Sequence, residues 1–130
     1  NLNLSYIQPY FDDDKLYEIL ANLIDPKVVI RPYRITNNFQ MNQINSSEFF
    51  PLLEGFSERY GGVGARFDWE KLTEICVPFI LAGGINLENI ENALKYRPYA
   101  IDISSGVEAY PGKKDEQKIK SILRRIGRDV

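Results

Sequence analysis

Short apolar runs alternate with helical stripes along this chain, and this alternation limits its fold more than any other feature. The apolar runs lie at residues 4–8, 28–30, 48–54, 77–82 and 99–103. In several of the segments between and after them, apolar residues recur at i, i+3, i+4 and i+7, the period of an amphipathic helix. Strands that alternate with helices predict an α/β fold with a parallel sheet and right-handed crossovers.

Polar residues mark where the helices should begin. Asp12–Asp14, Asn86 and Asp115 each precede an apolar stripe and can cap a first helical turn. Short helices are also predicted within 37–47 and over 68–75. Pro51 is an objection to the strand at 48–54, because proline cannot donate a hydrogen bond to a neighbouring strand. We expect residues 1–130 to form a single domain.

Composition excludes several functional classes. The chain has 16 Lys+Arg, 18 Asp+Glu and a net charge of -2, without the basic excess of a nucleic-acid binder. It has no His and one Cys, Cys76, which excludes Ser-His-Asp catalysis, a Cys-cluster metal site and an internal disulfide within these residues. No apolar stretch approaches the roughly 20 residues of a membrane helix, and no signal peptide is recognisable. We expect a cytoplasmic protein whose partner is a small molecule, not a membrane or a nucleic acid.

Small residues follow two consecutive predicted strands. Gly83 and Gly84 come after the strand at 77–82, and Ser104, Ser105 and Gly106 come after the strand at 99–103. Ligands of parallel α/β proteins gather beyond the carboxyl ends of the strands, and backbone N–H groups and serine hydroxyls can bind an anion. The two loops could form a phosphate cradle, or they could be ordinary turns that need small residues.

Two carboxylates lie at the ends of apolar strands. Glu54 closes the strand at 48–54, and Asp102 lies two residues before Ser104. A carboxylate on a core strand is costly to bury without a partner, so both are candidate functional groups. The alternatives are a solvated loop start for Glu54 and a backbone-satisfied acid for Asp102. The charged run 113–116 is interpreted as solvated helix surface.

Three motifs together resemble one enzyme family. They are GGVGARFDW at 61–69, LAGGINLENI at 81–90 and RPYAIDISSGVEAYPGKKD at 97–115. They resemble the C-terminal part of phosphoribosylanthranilate isomerase, an enzyme of tryptophan biosynthesis, and the match runs in order from about Ile7 to the end. The resemblance implies a TIM barrel in which the predicted strands are the fourth to the eighth, so that these residues form an incomplete barrel without its first three βα units.

The resemblance also implies an activity. The family catalyses an Amadori rearrangement of N-(5-phosphoribosyl)anthranilate to 1-(2-carboxyphenylamino)-1-deoxyribulose 5-phosphate, and it uses no metal or cofactor. Glu54 matches the general acid, which is normally Asp. Asp102 and Arg34 match residues on the substrate side. The phosphate-binding positions are matched by Gly62, Gly64, Gly83, Gly84, Ser104, Ser105 and Gly106.

Some positions depart from the family pattern. The family's general base, a cysteine on the first strand, and its anthranilate-binding arginine fall outside the matched part. The fourth-strand motif Q-L-H-G-D-E reads Gln8-Pro9-Tyr10-Phe11-Asp12-Asp13, and Arg31 replaces a lysine. These changes leave one alternative, a diverged phosphate-binding barrel without isomerase activity. A second alternative is an open flavodoxin-like binding domain, which would explain a length of 130 residues without truncation. Oligomeric state and fusion to another enzyme stay undecided.

We predict that residues 1–130 alone lack isomerase activity. The sequence begins with Asn1 rather than Met, and five strands cannot close an eight-stranded barrel. The measurement is the loss of substrate fluorescence when phosphoribosylanthranilate is added to the isolated chain. Turnover above the uncatalysed rate would refute the prediction.

Overall fold

The computed structural model describes residues 3–55 and 67–127, which have an α/β architecture. The strands are β1 (Ile30–Ile35), β2 (Phe50–Gly55), β3 (Ile80–Ala82), β4 (Ala100–Asp102), β5 (Glu108–Tyr110) and β6 (Lys113–Lys114). The helices are α1 (Asp14–Leu23), α2 (Asn42–Asn45), α3 (Ile90–Leu94) and α4 (Glu116–Arg125). Single 3₁₀ segments span Pro26–Val28, Trp69–Glu74 and Ser105–Val107.

The first four strands form one sheet in the order β1-β2-β3-β4, and each neighbouring pair is parallel. The predicted parallel α/β class is confirmed. Strands that follow one another in the chain are also neighbours in this sheet, so the described residues contain no reversal of strand order. The flavodoxin-like alternative is therefore wrong, because that fold requires such a reversal.

The predicted strand at 4–8 is reduced to one parallel bridge between Ile7 and Val29. The Ile7 N–H donates to Val28 O (3.0 Å), and the Ile30 N–H donates to Ile7 O (2.7 Å). In a parallel ladder the next two donors would be the N–H groups of residues 9 and 32. Both residues are proline and have no N–H, so the pairing cannot continue.

Pro51 is accommodated inside β2. The Phe50 N–H donates to Val29 O (2.9 Å) on the β1 side. Alternation along the strand turns the nitrogen of residue 51 towards β3, where pairing starts only at Leu52. No ladder hydrogen bond is lost, and the objection to this strand does not apply.

Strand β1 and helix α1 also differ from the prediction. β1 begins at Ile30 and continues to Ile35, beyond the predicted 28–30, because Arg31 and Arg34 interrupt the apolar run without ending the strand. α1 buries Tyr17 rather than its apolar stripe: Tyr17 is 4% exposed, whereas Leu23 is 73% exposed. The Tyr17 ring packs edge-on against Phe11 and Phe49, which lie at the border of the sheet.

Two of the predicted caps are confirmed, at Asp13 and Asp115, whereas the N-cap of α3 is Asn89 rather than Asn86. Oδ1 of Asp13 accepts from the Lys15 N–H (2.9 Å), and Oδ1 of Asp115 accepts from the Gln117 N–H (2.8 Å) at the start of α4. Oδ1 of Asn86 accepts from the Glu88 N–H (2.9 Å) in the turn that leads into α3. The helix predicted over 68–75 is a 3₁₀ helix. No described helix has the length and apolar character needed to cross a membrane.

The loop after β3 and the loop after β4 lie in direct contact. A Cβ atom on Gly106 would lie 1.8 Å from the carbonyl oxygen of Ile85 and 2.9 Å from its carbonyl carbon. Both atoms belong to the backbone and cannot rotate away. Glycine at residue 106 is therefore what allows the two loops to approach each other.

We expect Gly106→Ala to destabilise the complete gene product by about 3 kcal/mol, the upper end for overpacking, because two backbones must separate. Gly112→Ala is the matched control. Gly112 has a positive φ of 85° but nothing within 4 Å of its Cβ position, so this change should cost only about 1 kcal/mol. Denaturant unfolding of both variants measures the difference, and equal losses would contradict the packing argument.

Candidate active site

The strand register places three charged residues in one row across the sheet. Arg34 of β1 is paired with Glu54 of β2, Glu54 with Ala82 of β3, and Ala82 with Asp102 of β4. Residues paired in register project from the same face of a sheet. Arg34, Glu54 and Asp102 therefore share one face at the carboxyl ends of the strands, which we call the site face.

A cleft of about 310 Å³ opens on this face. Its walls include both predicted carboxylates, Glu54 and Asp102, and both predicted anion loops. The loop residues that line it are Gly83, Gly84, Ser104, Ser105 and Gly106. The structure thus brings most of the sequence-predicted site residues around one cavity.

Arg34 and two of the predicted glycines are not among the described residues that line this cleft. Arg34 lines a neighbouring cleft of about 250 Å³, which shares Tyr10 and Glu54 with the first cleft. Gly62 and Gly64 lie outside the described residues. Cys76 is exposed and precedes β3 at the amino end of the sheet, away from both clefts.

The loop after β3 depends on glycine and on one asparagine. Gly83 and Gly84 have φ values of 85° and 70°, a conformation that glycine adopts without steric cost. Asn89 Nδ2 donates to Gly84 O (2.8 Å), and Asn89 Oδ1 accepts from the Asn86 N–H (2.9 Å). Asn89 therefore fixes the shape of this loop. Sequence reasoning missed this role, although an Asn in the first turn after a glycine loop is a usable signal.

Tyr10 is a second residue that sequence reasoning did not include in the site. It lines both clefts, and Gln8 Nε2 donates to its hydroxyl oxygen (2.9 Å). Partial burial raises the pKa of the Tyr10 phenol, and the nearby Glu54 carboxylate raises that pKa further. The available signal was the position of Tyr10 just past the carboxyl end of the bridge at Ile7.

The charged run 113–116 was interpreted as helix surface, and the structure corrects this for Lys113 and Lys114. Lys113 and Lys114 form β6, and Lys114 Nζ donates to Ser104 O (2.9 Å) at the cleft. Asp115 is the N-cap of α4. The sequence shows a run of charges, but it does not show that a hairpin folds this lysine back onto the loop after β4.

The electrostatic environment favours the protonated form of Glu54. Partial burial is the largest influence and raises the pKa of the Glu54 carboxyl. The Arg34 guanidinium acts in the opposite direction, and the Asp102 carboxylate raises the pKa again. The net effect is a pKa above the ordinary value of 4.5. A raised pKa brings a carboxyl group closer to the range in which it can act as a general acid.

The cleft brings together two carboxyl groups and two loops of glycine and serine. Gly83, Gly84, Ser104, Ser105 and Gly106 line the cleft together with Glu54 and Asp102. No group of three or more Cys, Asp or Glu residues in the described ranges 3–55 and 67–127 is placed to hold a metal ion. The cleft can orient a phosphorylated ligand and supply a proton to it.

A family model and a curated relative indicate the same protein family. The family model described as "N-(5'phosphoribosyl)anthranilate (PRA) isomerase" matches residues 1–125. A curated relative, N-(5'-phosphoribosyl)anthranilate isomerase of Thermotoga maritima, is 38% identical over 112 residues, which are 82% of this chain and 55% of the relative. The chain therefore spans about half the length of that curated relative.

Solved structures give the same family. The crystal structure of phosphoribosyl anthranilate isomerase from Thermotoga maritima aligns with a TM-score of 0.74 and 35% identity, covering 93% of this chain and 60% of that one. A phosphoribosyl anthranilate isomerase solved with reduced 1-(O-carboxyphenylamino)-1-deoxyribulose 5-phosphate aligns with a TM-score of 0.67 and 32% identity, covering 93% and 58%. Since the family model covers nearly all of its residues, this chain belongs to the N-(5'-phosphoribosyl)anthranilate isomerase family.

Proposed function

We propose that this chain is part of an isomerase that converts N-(5-phosphoribosyl)anthranilate to 1-(2-carboxyphenylamino)-1-deoxyribulose 5-phosphate in tryptophan biosynthesis. The single observation that carries the proposal is the cleft that Glu54 and the two anion loops share. Family membership supports it. A structural neighbour is named as a complex with a phosphorylated analogue of that product, which suits a cleft of this polarity.

The chemistry begins with binding of the phosphate group. Backbone N–H groups of Gly83, Gly84 and Gly106 and the hydroxyls of Ser104 and Ser105 bind the phosphate oxygens. This contact positions the ribose ring beside the two carboxyl groups. Asp102 accepts hydrogen bonds from the ribose hydroxyls, and its negative charge also favours the protonated form of Glu54.

The reaction then needs one acid and one base. Glu54 donates its proton to the furanose ring oxygen, the bond between that oxygen and C1′ breaks, and the anthranilate nitrogen forms an iminium with C1′. Loss of the C2′ proton to a base gives an enolamine, which tautomerises to the aminoketose. The family resemblance assigns the base to a cysteine on the first barrel strand.

The proposal also assigns the described strands to positions in a TIM barrel. The Ile7–Val29 bridge and the strands β1 to β4 correspond to the fourth to eighth strands of a TIM barrel. The sequential parallel order supports this assignment, as does the coverage of 93% of this chain but only 60% of the relative's structure. In such a barrel the two anion loops follow the seventh and eighth strands, a common phosphate site. Residues 1–130 then belong to one domain.

A second candidate function is phosphate binding without isomerisation. Glu54 has one methylene more than the aspartate of the family pattern, and Tyr10 and Arg31 also depart from that pattern. A reacting group displaced by about 1 Å can lose on the order of 10²-fold in rate. Both candidates use the same anion loops, so only a measurement of turnover separates them.

We expect Glu54→Gln to lower turnover of phosphoribosylanthranilate by about 10²-fold or more in the complete gene product, because a general acid contributes this much. Inorganic phosphate should still bind competitively with substrate. Glu54→Asp should retain activity, and Glu48→Gln is the matched control, since Glu48 lies exposed just before the amino end of the same strand. Unchanged turnover in Glu54→Gln would exclude Glu54 as the acid.

The raised pKa of Glu54 also predicts a pH dependence of stability. The folded protein holds this proton at pH values where the unfolded chain has already released it, above about 4.5. Ionising Glu54 therefore costs stability as the pH rises through this window. The melting temperature of Glu54→Gln minus that of the parent should be more positive at pH 8 than at pH 4.

Glu108→Gln is a control for which we expect the opposite pH dependence of stability. The hydrogen bond and charge of Lys114 lower the pKa of Glu108, so this carboxylate stabilises the fold at high pH and loses that contribution at low pH. Its variant should lose more stability at pH 8 than at pH 4. The same trend in both variants would contradict the pKa assignments.

A further inference from the structure

Lys114 lies next to the candidate phosphate site without lining it. Its ammonium group donates to three acceptors: Ser104 O (2.9 Å), Ser104 Oγ (3.3 Å) and Glu108 Oε1 (2.9 Å). Of these two partners only Ser104 lines the cleft, and Lys114 is not among the described residues around it. We propose that Lys114 is a positioning residue, which holds Ser104 so that its hydroxyl donates to the phosphate of the substrate.

The numbers of donors and acceptors on Lys114 and Ser104 determine the direction of their hydrogen bond. An ammonium group has three donors and no acceptor, whereas a serine hydroxyl has one donor and two acceptor lone pairs. Because Ser104 Oγ accepts from Lys114, its hydroxyl hydrogen must point elsewhere. Ser104 is exposed and lines the cleft, so this hydrogen is available to an anion there. Lys114 thus makes Ser104 a donor toward the ligand.

The lysine is itself held in place by the hairpin of β5 and β6. Glu108 and Lys114 are register partners across this antiparallel pair, and their side chains form an ion pair at 2.9 Å. Glu108 O accepts from Lys118 Nζ (2.6 Å), and the Asp115 N–H donates to Val107 O (2.7 Å). The hairpin therefore joins the anion loop to the start of α4.

The positive charge of Lys114 also favours phosphate binding by Ser104. Its three N–H donors are used by Ser104 and Glu108, so no donor is left for a direct bond to the ligand. A charge-assisted hydrogen bond polarises its acceptor, which makes the Ser104 hydroxyl a better donor to a phosphate dianion. Lys114 therefore strengthens substrate binding through Ser104 rather than by touching the substrate.

This inference rests on the proposed function, and the test uses substitutions that change hydrogen-bond direction. Lys114→Gln places an amide oxygen that can accept the Ser104 hydrogen and turn it from the cleft, whereas Lys114→Arg offers donors only. Lys113→Met is the matched control, since Lys113 is the exposed neighbour in the same strand. KM, kcat, the inhibition constant of inorganic phosphate and the melting temperature are measured for each variant of the complete gene product.

We expect Lys114→Gln and Lys114→Met to raise KM and the phosphate inhibition constant about 10-fold, as for one lost hydrogen bond to a charged group, with kcat within about twofold. Lys114→Arg should restore most of the affinity, and Lys113→Met should match the parent. In a double-mutant cycle, adding Lys114→Met to Ser104→Ala should cause little further loss, because both changes remove the same contact.

The outcomes separate this inference from the proposed function. If the parent binds phosphate but does not turn over phosphoribosylanthranilate, the isomerase proposal fails, and the phosphate dissociation constants of the variants still decide the role of Lys114. Equal affinities of Lys114→Gln and Lys113→Met overturn the positioning role, as does full additivity with Ser104→Ala. If Lys114→Met does not fold, the contrast between Lys114→Arg and Lys114→Gln decides the same question.

Discussion

In-register pairing of the parallel strands is the constraint on which the rest of this structure depends. It aligns Arg34, Glu54, Ala82 and Asp102 in one row, so charged groups from separate parts of the chain share one face. A shift of one residue would turn a side chain to the opposite face. It would place Glu54 among the apolar side chains that pack around Leu53 and Leu81.

The cleft at the carboxyl ends of these strands depends both on the shape of the backbone and on the charges around it. Gly106 lets the loop after β4 rest on the Ile85 carbonyl, and the two anion loops line the same cleft as a result. Burial and the Asp102 carboxylate raise the pKa of the Glu54 carboxyl against the influence of Arg34. The proposed isomerisation uses this carboxyl group as its acid and the two loops as its phosphate site.

Much of this arrangement could be predicted from the sequence because the residues that indicate it lie next to one another in the chain. Glu54 and Asp102 are polar residues on apolar strands, and Gly83, Gly84 and Ser104 directly follow strands, so a general rule on strand ends places them together. Asn89 and Lys114 were missed because their roles depend on hydrogen bonds to Gly84 and Ser104. Those contacts exist only after a turn and a hairpin have folded back.

The sequence by itself determined the alternation of strands and helices, the capping residues and the small residues that follow two strands. These features follow from side-chain periodicity and backbone preference, which act over a few residues. The tertiary structure decided the strand register, the end of the first pairing at Pro9 and Pro32, and the raised pKa of Glu54. Each of these depends on groups far apart in the chain, since pairing and burial arise only when distant segments meet.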